Sequence, residues 1–512
     1  MISGCATASA TKEYADKQWK KNPHISPNSW KIIEGCTVGK IGFGSYRIGN
    51  EPAHEASLRK SLLSGVNLID TASNYTDGQA ESMIGKILSA LISNKELRRE
   101  EVMIISKGGY IQGGALLHAQ TLEDEHTLKL NDNLWYSIHP NNLKTQLQRS
   151  RERLGVETID GYLIHNPEYI LSYVMMEKSE VTDADRDAFY AQLEESFVFL
   201  EQQVKEGTIS FYGVSSNTFG SPDDHPDYID LSRLNQTAAN AAAKAWGRKK
   251  RSMFRCIEMP MNIMELGALH QENNTAQTFD GEERVSVLEL ASRMHLNVLT
   301  NRPLNAFPLS GGTFRLAEGA KDYTPSQLDT AVEKIKQSED ALNKVLEGWP
   351  QMDNRPLFNF TSQGEELLAH MTGSIQYDHL CSSFLYGHIA AFNHAMGQLR
   401  KNQPEKAESL QLVQQNYNQN MQALLETLRQ HVRQKDEEAV RPLEMELRNR
   451  VPEKWKSTPL QSIALNAIAS LPGVSCVLCG MRQENYVDNA IETFTMGDFA
   501  DPAAIIGSQL NG

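Results

Sequence analysis

The stretch Asn67–Tyr75, NLIDTASNY, places a carboxylate at the end of an apolar run and a tyrosine five residues after it. The run VNLID (66–70) has the length and composition of a buried strand. Its polar end admits two readings. Asp70 is a helix N-cap placed after a strand, or Asp70 and Tyr75 are half of a proton-transfer site. The choice depends on what the neighbouring strands carry at their ends.

Similar apolar runs recur at KIGFG (40–44), VMIISK (102–107), GYLIH (161–165), ISFYGVSS (209–216), CIEMPMN (256–262), LNVLTNRPL (296–304) and SCVLCG (475–480). Between them lie segments of helical period such as ESMIGKILSALI and NLKTQLQRSRERLG. The latter carries Leu143, Leu147 and Leu154 among basic residues. Strands alternating with helices imply parallel β/α units, and eight of them predict a closed (β/α)8 TIM barrel of the α/β class. An open doubly wound sheet is the competing fold. Its dinucleotide signature is missing, because GFGSYRIG lacks the GxGxxG spacing and precedes no helical pattern. The segment KIIEGCTVGK reads as an N-terminal β-hairpin that plugs the bottom of the barrel.

The bulk properties exclude several classes. A formal net charge of −14 over 512 residues argues against general nucleic-acid binding. No run approaches the roughly 18 apolar residues of a membrane span. The first 30 residues lack a signal-peptide core, and they hold lysines but no arginine, which gives a transit peptide little support. Six cysteines are too sparse for a secreted disulfide scaffold. The CxxC at Cys476 and Cys479 sits in an apolar run with no second ligand pair, so no metal is expected. The expectation is a soluble, reduced protein of the cytoplasm.

Strand eight arrives late. PLQSIALNAIASLPG supplies its preceding helix, which leaves 313–455 as an insertion between strands seven and eight. Leu410, Val413, Tyr417, Met421, Leu424, Leu428 and Val432 recur at three- and four-residue steps and mark one apolar helix face. Only about three heptads are visible, so a packed helical subdomain is favoured over a long coiled coil. The predicted division is an N-terminal extension (1–29), the first part of the barrel (30–312), the insertion (313–455) and the completion of the barrel (456–512).

The strand ends carry matching chemistry. Asp70 ends the second run, Lys107 the third and His165 the fourth, with Tyr75 in the loop after the second. Each alone has an ordinary structural explanation. Together they converge on one rim of a parallel barrel. A phenol titrates near pH 10 and is a poor acid-base group at neutrality. A lysine ammonium beside it favours the phenolate and lowers that pKa. A buried lysine needs a counter-charge, which Asp70 could supply. A histidine could orient a carbonyl oxygen and share its developing charge.

The sequence resembles the aldo-keto reductase superfamily. The resemblance rests on GFGSYRIG, DTASNY with the following ESMIG, IISKGG, SRERLGVETIDGYLIHNPE, EGTISFYGVSSN, NRPLNAF and CGMRQENYVDNAIE, and covers 30–309 and 456–495. It implies an NAD(P)H-dependent oxidoreductase that reduces an aldehyde, ketone or sugar-type carbonyl, or oxidises the alcohol. It also implies a cofactor bound without a Rossmann domain and a catalytic tetrad of Asp70, Tyr75, Lys107 and His165. Tyr75 is then the proton donor, tuned by Lys107 and Asp70, and His165 orients the substrate.

The same resemblance assigns cofactor residues. Gly44, Ser45 and Tyr46 fall in the first strand–helix loop. Ser215, with Ser216 or Asn217, matches the pair that holds the nicotinamide carboxamide. Glu258 and Met261 stand where the family has a glutamine and a stacking tyrosine. Glu258 can accept the amide hydrogens but cannot donate. Arg302, Pro303 and Leu304 approach the pyrophosphate, and Gly480, Met481, Arg482 and Asn489 match the shorter adenosine loop. NADP(H) is favoured by family habit, with NAD(H) the alternative.

Tyr46 and Trp135 are assigned either to a substrate pocket or to the core. The expected partners are a small-molecule carbonyl or alcohol, with 313–455 as a lid, a self-association surface or a partner-binding surface. Two other functions compete. One is a Schiff-base lyase using Lys107, and the other is a cofactor-binding scaffold protein built around the insertion.

Overall fold

The computed structural model describes residues 1–119, 126–247, 250–279, 281–307, 312–317, 323–346 and 371–506. They form two compact units, Met1–Pro303 with Gln461–Gly512, and Leu304–Leu460. In the first, eight strands make a closed barrel: β1 (Ile41–Gly44), β2 (Leu68–Asp70), β3 (Met103–Gly108), β4 (Ile159–His165), β5 (Ile209–Ser215), β6 (Phe254–Pro260), β7 (Asn297–Asn301) and β8 (Val474–Gly480). Each pairs in parallel with the next, and β8 closes on β1. This is the expected (β/α)8 barrel, and every apolar run of the sequence supplies one strand.

The strands read as continuous apolar runs because both faces are covered, one by the barrel interior and one by the outer helices. All seven residues of β4 are buried. The interior needs small residues where large ones face them. A Cβ on Gly161 would stand 2.7 Å from the Phe211 ring of the adjoining strand. Below them, the strands Trp30–Ile33 and Cys36–Gly39 form the expected antiparallel hairpin. Its two-residue turn puts Glu34 at φ 47° and Gly35 at φ 81°, the positive pair that a tight hairpin requires. Ile33, Cys36 and Val38 join Leu68, Met103, Leu163, Phe211 and Leu299 in one buried cluster.

The outer helices have legible ends. Pro140–Leu154 begins with proline and ends at Gly155 in the left-handed region (φ 69°), with Leu143, Leu147 and Leu154 buried. Asp183–Glu206 opens on a capping box between Thr182 and Asp185. The segment expected as an N-terminal extension contains the helix Ala8–Lys21, capped by Thr7, and lies in the first unit. The Tyr14 hydroxyl donates to the Leu62 carbonyl at 2.6 Å. The Ala6 amide donates to Asp160 Oδ1 at 2.6 Å, and Asp160 Oδ2 pairs with Arg99 at 2.7 Å.

In the second unit the helix Ala407–Arg450 runs 44 residues. Its residues Leu410, Tyr417, Met421, Leu424, Leu428 and Val432 are buried with Ile335, Leu342, Phe392 and Met396, and Val413 is partly buried beside them. These residues come from Pro325–Leu346, Tyr386–Asn402 and the long helix, so the apolar face is covered within the unit. Residues 318–322 and 347–370 of the predicted insertion lie outside the described residues. Among the described residues, no helix is long and apolar enough to cross a membrane. Cys476 and Cys479 are free thiols buried in β8.

Candidate active site at the barrel rim

Register decides which side chains meet. Gly44 pairs with Asp70, Ser215 with both His165 and Glu258, Pro260 with Asn301, and Gly480 with Gly44. The C-terminal ends of the strands therefore form one ring, the face on which a parallel barrel presents its loops. Asp70 caps no helix there. The residue at the N-cap of the next helix, Gln79–Ser93, is Gly78.

Lys107 is the centre of the ring. Its side chain has no exposure, and its Nζ lies 2.5 Å from Asp70 Oδ1, 3.1 Å from Glu258 Oε2 and 3.5 Å from the Tyr75 hydroxyl. Burial alone would lower its pKa, but Asp70 and Glu258 together outweigh that and hold the ammonium above its ordinary value. Burial raises the Asp70 carboxyl well above the usual range. Glu258 adds to the effect, and Lys107 opposes it.

The loop carrying Tyr75 is held in a strained form. Thr76, Asp77 and Gly78 occupy the left-handed region in succession, at φ 49°, 52° and 81°, which is costly for a β-branched threonine. Hydrogen bonds offset the cost. The Thr76 hydroxyl donates to the Ile48 carbonyl at 2.6 Å, and Asp77 accepts from the Gly114 amide. The loop starts anchored as well, since the Ser73 amide donates to the Lys107 carbonyl at 3.0 Å. The turn brings the phenol back over the end of β3.

The phenol is shifted opposite to the expectation from the lysine alone. Burial raises its pKa, and Asp70 and Glu258 add to that, whereas Lys107 lowers it without prevailing. Tyr75 therefore holds its proton more firmly than a free tyrosine. His165 is neutral, because burial and the Lys107 charge both push its pKa well down. Its ring stands edge-on to Tyr75 at 5.8 Å, and its Nδ1 is buried without a protein partner.

The remaining assigned cofactor residues lie at or after the ends of β1, β5, β6, β7 and β8. Gly44, Ser45 and Tyr46 follow β1. Ser45 Oγ is buried and unpartnered, while Tyr46 is exposed with its ring 5.3 Å from that of Tyr75. Ser215 and Ser216 are buried after β5, and Ser216 Oγ shares a hydrogen bond with Thr218 at 3.2 Å. Asn217 is exposed, and its amide donates to Glu168 at 2.9 Å. Glu258 has its Oε1 engaged by Asn301 Nδ2 at 2.8 Å and its Oε2 beside Lys107. Met261 is fully buried.

Arg302 lies after β7 with φ 53° and pairs with Glu265 at 3.2 Å. Pro303 ends the first unit and Leu304 begins the second. After β8, a Cβ on Gly480 would meet nothing within 4 Å. Met481 is buried, Arg482 is half-buried, and the Asn489 carbonyl accepts from Ser462 at 3.0 Å. Trp135 is half-buried, with Lys129 Nζ 4.7 Å above its ring.

Three residues near the ring were not singled out from the sequence. Tyr110 stacks edge-on against His165 at 4.7 Å and accepts from Asn166 Nδ2 at 2.9 Å. Glu168 is buried with its pKa pushed up to about 7, chiefly by desolvation. Tyr110 follows the KGG of β3, and Asn166 and Glu168 follow His165 in HNPE. Proximity to the strand ends was the one signal that could have marked them.

Residues 40–227 match the sequence profile of the Aldo/keto reductase family. The chain is 29% identical over 141 residues to the NADH-specific methylglyoxal reductase of Escherichia coli (strain K12). That match covers 25% of this chain and 38% of that protein, so the chain spans well under half of this relative's length. It is 25% identical to the NAD(P)H-dependent D-xylose reductase I,II of Candida tropicalis, covering 64% of this chain and 97% of the relative. Among solved structures, the glycerol dehydrogenase AKR11B4 from Gluconobacter oxydans aligns at 15% identity and a TM-score of 0.45, covering 94% of each chain.

Proposed function

We propose that this chain is an aldo/keto reductase that reduces an aldehyde, ketone or sugar-type carbonyl with a nicotinamide cofactor, Tyr75 serving as proton donor. The observation that carries the reading is the Lys107 ammonium set between Asp70 and the Tyr75 hydroxyl, with neutral His165 against the same phenol. The rim also has the character of a site for a polar ligand. Ser45 Oγ, His165 Nδ1 and Asn301 Oδ1 are buried there without protein partners, an arrangement that costs about 1–3 kcal/mol for each group until a ligand satisfies it.

A bound nicotinamide would supply the hydride. Ser215, Ser216 and Asn217 would hold its carboxamide, with Gly44, Ser45 and Tyr46 beside it. Arg302 and Pro303 would take the pyrophosphate, and Gly480, Met481, Arg482 and Asn489 the adenosine end. Arg482 precedes the helix Glu484–Thr495, whose N-cap residue Gln483 makes no capping hydrogen bond. A helix N-terminus and a guanidinium both suit a phosphate, in keeping with NADP(H) as the favoured form and NAD(H) as the alternative.

The chain's own residues handle the proton. A carbonyl oxygen at the rim accepts a hydrogen bond from neutral His165 and the proton of the Tyr75 hydroxyl as charge develops on it. The raised pKa of Tyr75 keeps it in the acid form that reduction needs, and the Lys107 ammonium stabilises the phenolate left behind. Lys107 held as a buried ammonium between two carboxylates opposes the Schiff-base alternative, which needs the free amine.

Carbonyl-dependent oxidation of NADPH and NADH by Tyr75→Phe tests the reading. Loss of about 10²- to 10⁴-fold in kcat is expected, with cofactor binding followed by fluorescence retained. An unchanged rate would sink it.

A further inference from the structure

Glu258 is the charged residue on the rim that the reductase chemistry leaves unexplained. In the resemblance its place belongs to a glutamine that touches the carboxamide. Here both of its oxygens face protein. Oε1 accepts from Asn301 Nδ2 at 2.8 Å, and Oε2 forms an ion pair with Lys107 Nζ at 3.1 Å. Glu258 is 1% exposed, Lys107 0% and Asp70 3%, so little solvent screens these charges. One buried ammonium thus serves two buried carboxylates.

We propose that Glu258 is a positioning residue of the reaction, sharing Lys107 with Asp70 and thereby governing how readily Tyr75 releases its proton. The proposal rests on the reductase reading and deepens it. The ammonium lies 3.5 Å from the phenol oxygen, and its attraction for a phenolate is what would make the tyrosine acidic. A single carboxylate leaves the cluster neutral and lets that attraction act. A second one makes it net negative once both ionise, and the phenolate then meets repulsion.

The other groups around Tyr75 do not supply this repulsion. His165 from β4 is neutral, and Tyr46 after β1 and Tyr110 after β3 present aromatic rings. Arg47, whose guanidinium lies 5.4 Å from the Tyr46 ring centroid, carries the opposite sign. Asp70 and Glu258 are the carboxyl groups beside the phenol, and Lys107 Nζ contacts both.

The test is an ultraviolet difference titration of phenolate in the full-length, cofactor-free chain. Wild type and Glu258→Gln are each compared with their Tyr75→Phe counterparts, so that the signal of Tyr75 is isolated. In Glu258→Gln the Tyr75 phenolate should form about one pH unit or more below wild type. The basic limb of kcat/KM for carbonyl reduction should move down with it. Glu258→Asp, which keeps the charge, should titrate close to wild type.

An unmoved Tyr75 titration in Glu258→Gln overturns the proposal. So does an equal shift in Glu258→Asp, or a changed cofactor KM as the sole effect. The titration is read without turnover, so its failure is distinct from an absence of carbonyl reduction.

Discussion

Replacing Lys107 with methionine should make stability strongly pH-dependent. Methionine fills a similar volume, so what is lost is the charge. At an effective dielectric of about 20, the contacts at 2.5 Å and 3.1 Å are worth about 7 and about 5 kcal/mol of Coulomb energy. Desolvation offsets much of that. Removing one partner of a buried pair typically costs about 3–5 kcal/mol, because the remaining charge stays uncompensated. Two carboxylates remain here, and Asp70, whose carboxyl pKa is already raised, responds by binding a proton.

The sign follows from linkage. A carboxyl whose folded pKa is raised contributes stability that is fully present below its unfolded value, about 4, and is lost as pH rises through the folded pKa. Asp70 is already raised in the wild type, and losing Lys107 raises it further. Urea unfolding followed by circular dichroism should therefore show Lys107→Met about 3–5 kcal/mol less stable than wild type at pH 8. At pH 5, with protons bound, the deficit should be smaller by about 2 kcal/mol or more. Equal deficits at the two pH values would refute the claim that two buried anions depend on this lysine.

Two further outcomes test other parts of the barrel. Asp160→Ala strips the partner from buried Arg99 and the acceptor from the amides of Ala6 and Ile104; thermal or urea unfolding should show a loss of about 3–5 kcal/mol. Lys40 is buried with its Nζ donating to Asn466 Oδ1 and the Met496 carbonyl, and burial pulls its pKa down to about 7. Between that value and its unfolded pKa the unfolded chain binds more protons, so stability rises with pH. Relative to Lys40→Met, the wild type should gain about 2 kcal/mol between pH 7 and pH 9 in paired urea titrations.

The strands were readable because each is an apolar run bounded by a helical pattern, and a parallel barrel demands that repetition. The segment KIIEGCTVGK was also legible as a hairpin, and NLKTQLQRSRERLG as a helix burying Leu143, Leu147 and Leu154. The convergence of Asp70, Lys107 and His165 was legible from their positions at successive strand ends. The left-handed run Thr76–Gly78 was not, because it is imposed by contacts to Ile48 and Gly114, far away in the chain. Nor was Tyr110 against His165, since its approach depends on how the loop after β3 folds back.

Two properties of the site illustrate where sequence stops. The residue types at 70, 75, 107 and 165 are written in the chain, and so is the order of the strands that carry them. That much fixes which groups stand on one rim. The company each charge keeps is decided by barrel closure, which sets β6 across the interior from β3 and brings Glu258 to the lysine already paired with Asp70. The sign of the shift at Tyr75 changes with that third charge and with burial. Both are sums over neighbours distant in sequence, and electrostatic energy in a water-poor interior depends on distances that only the closed barrel defines.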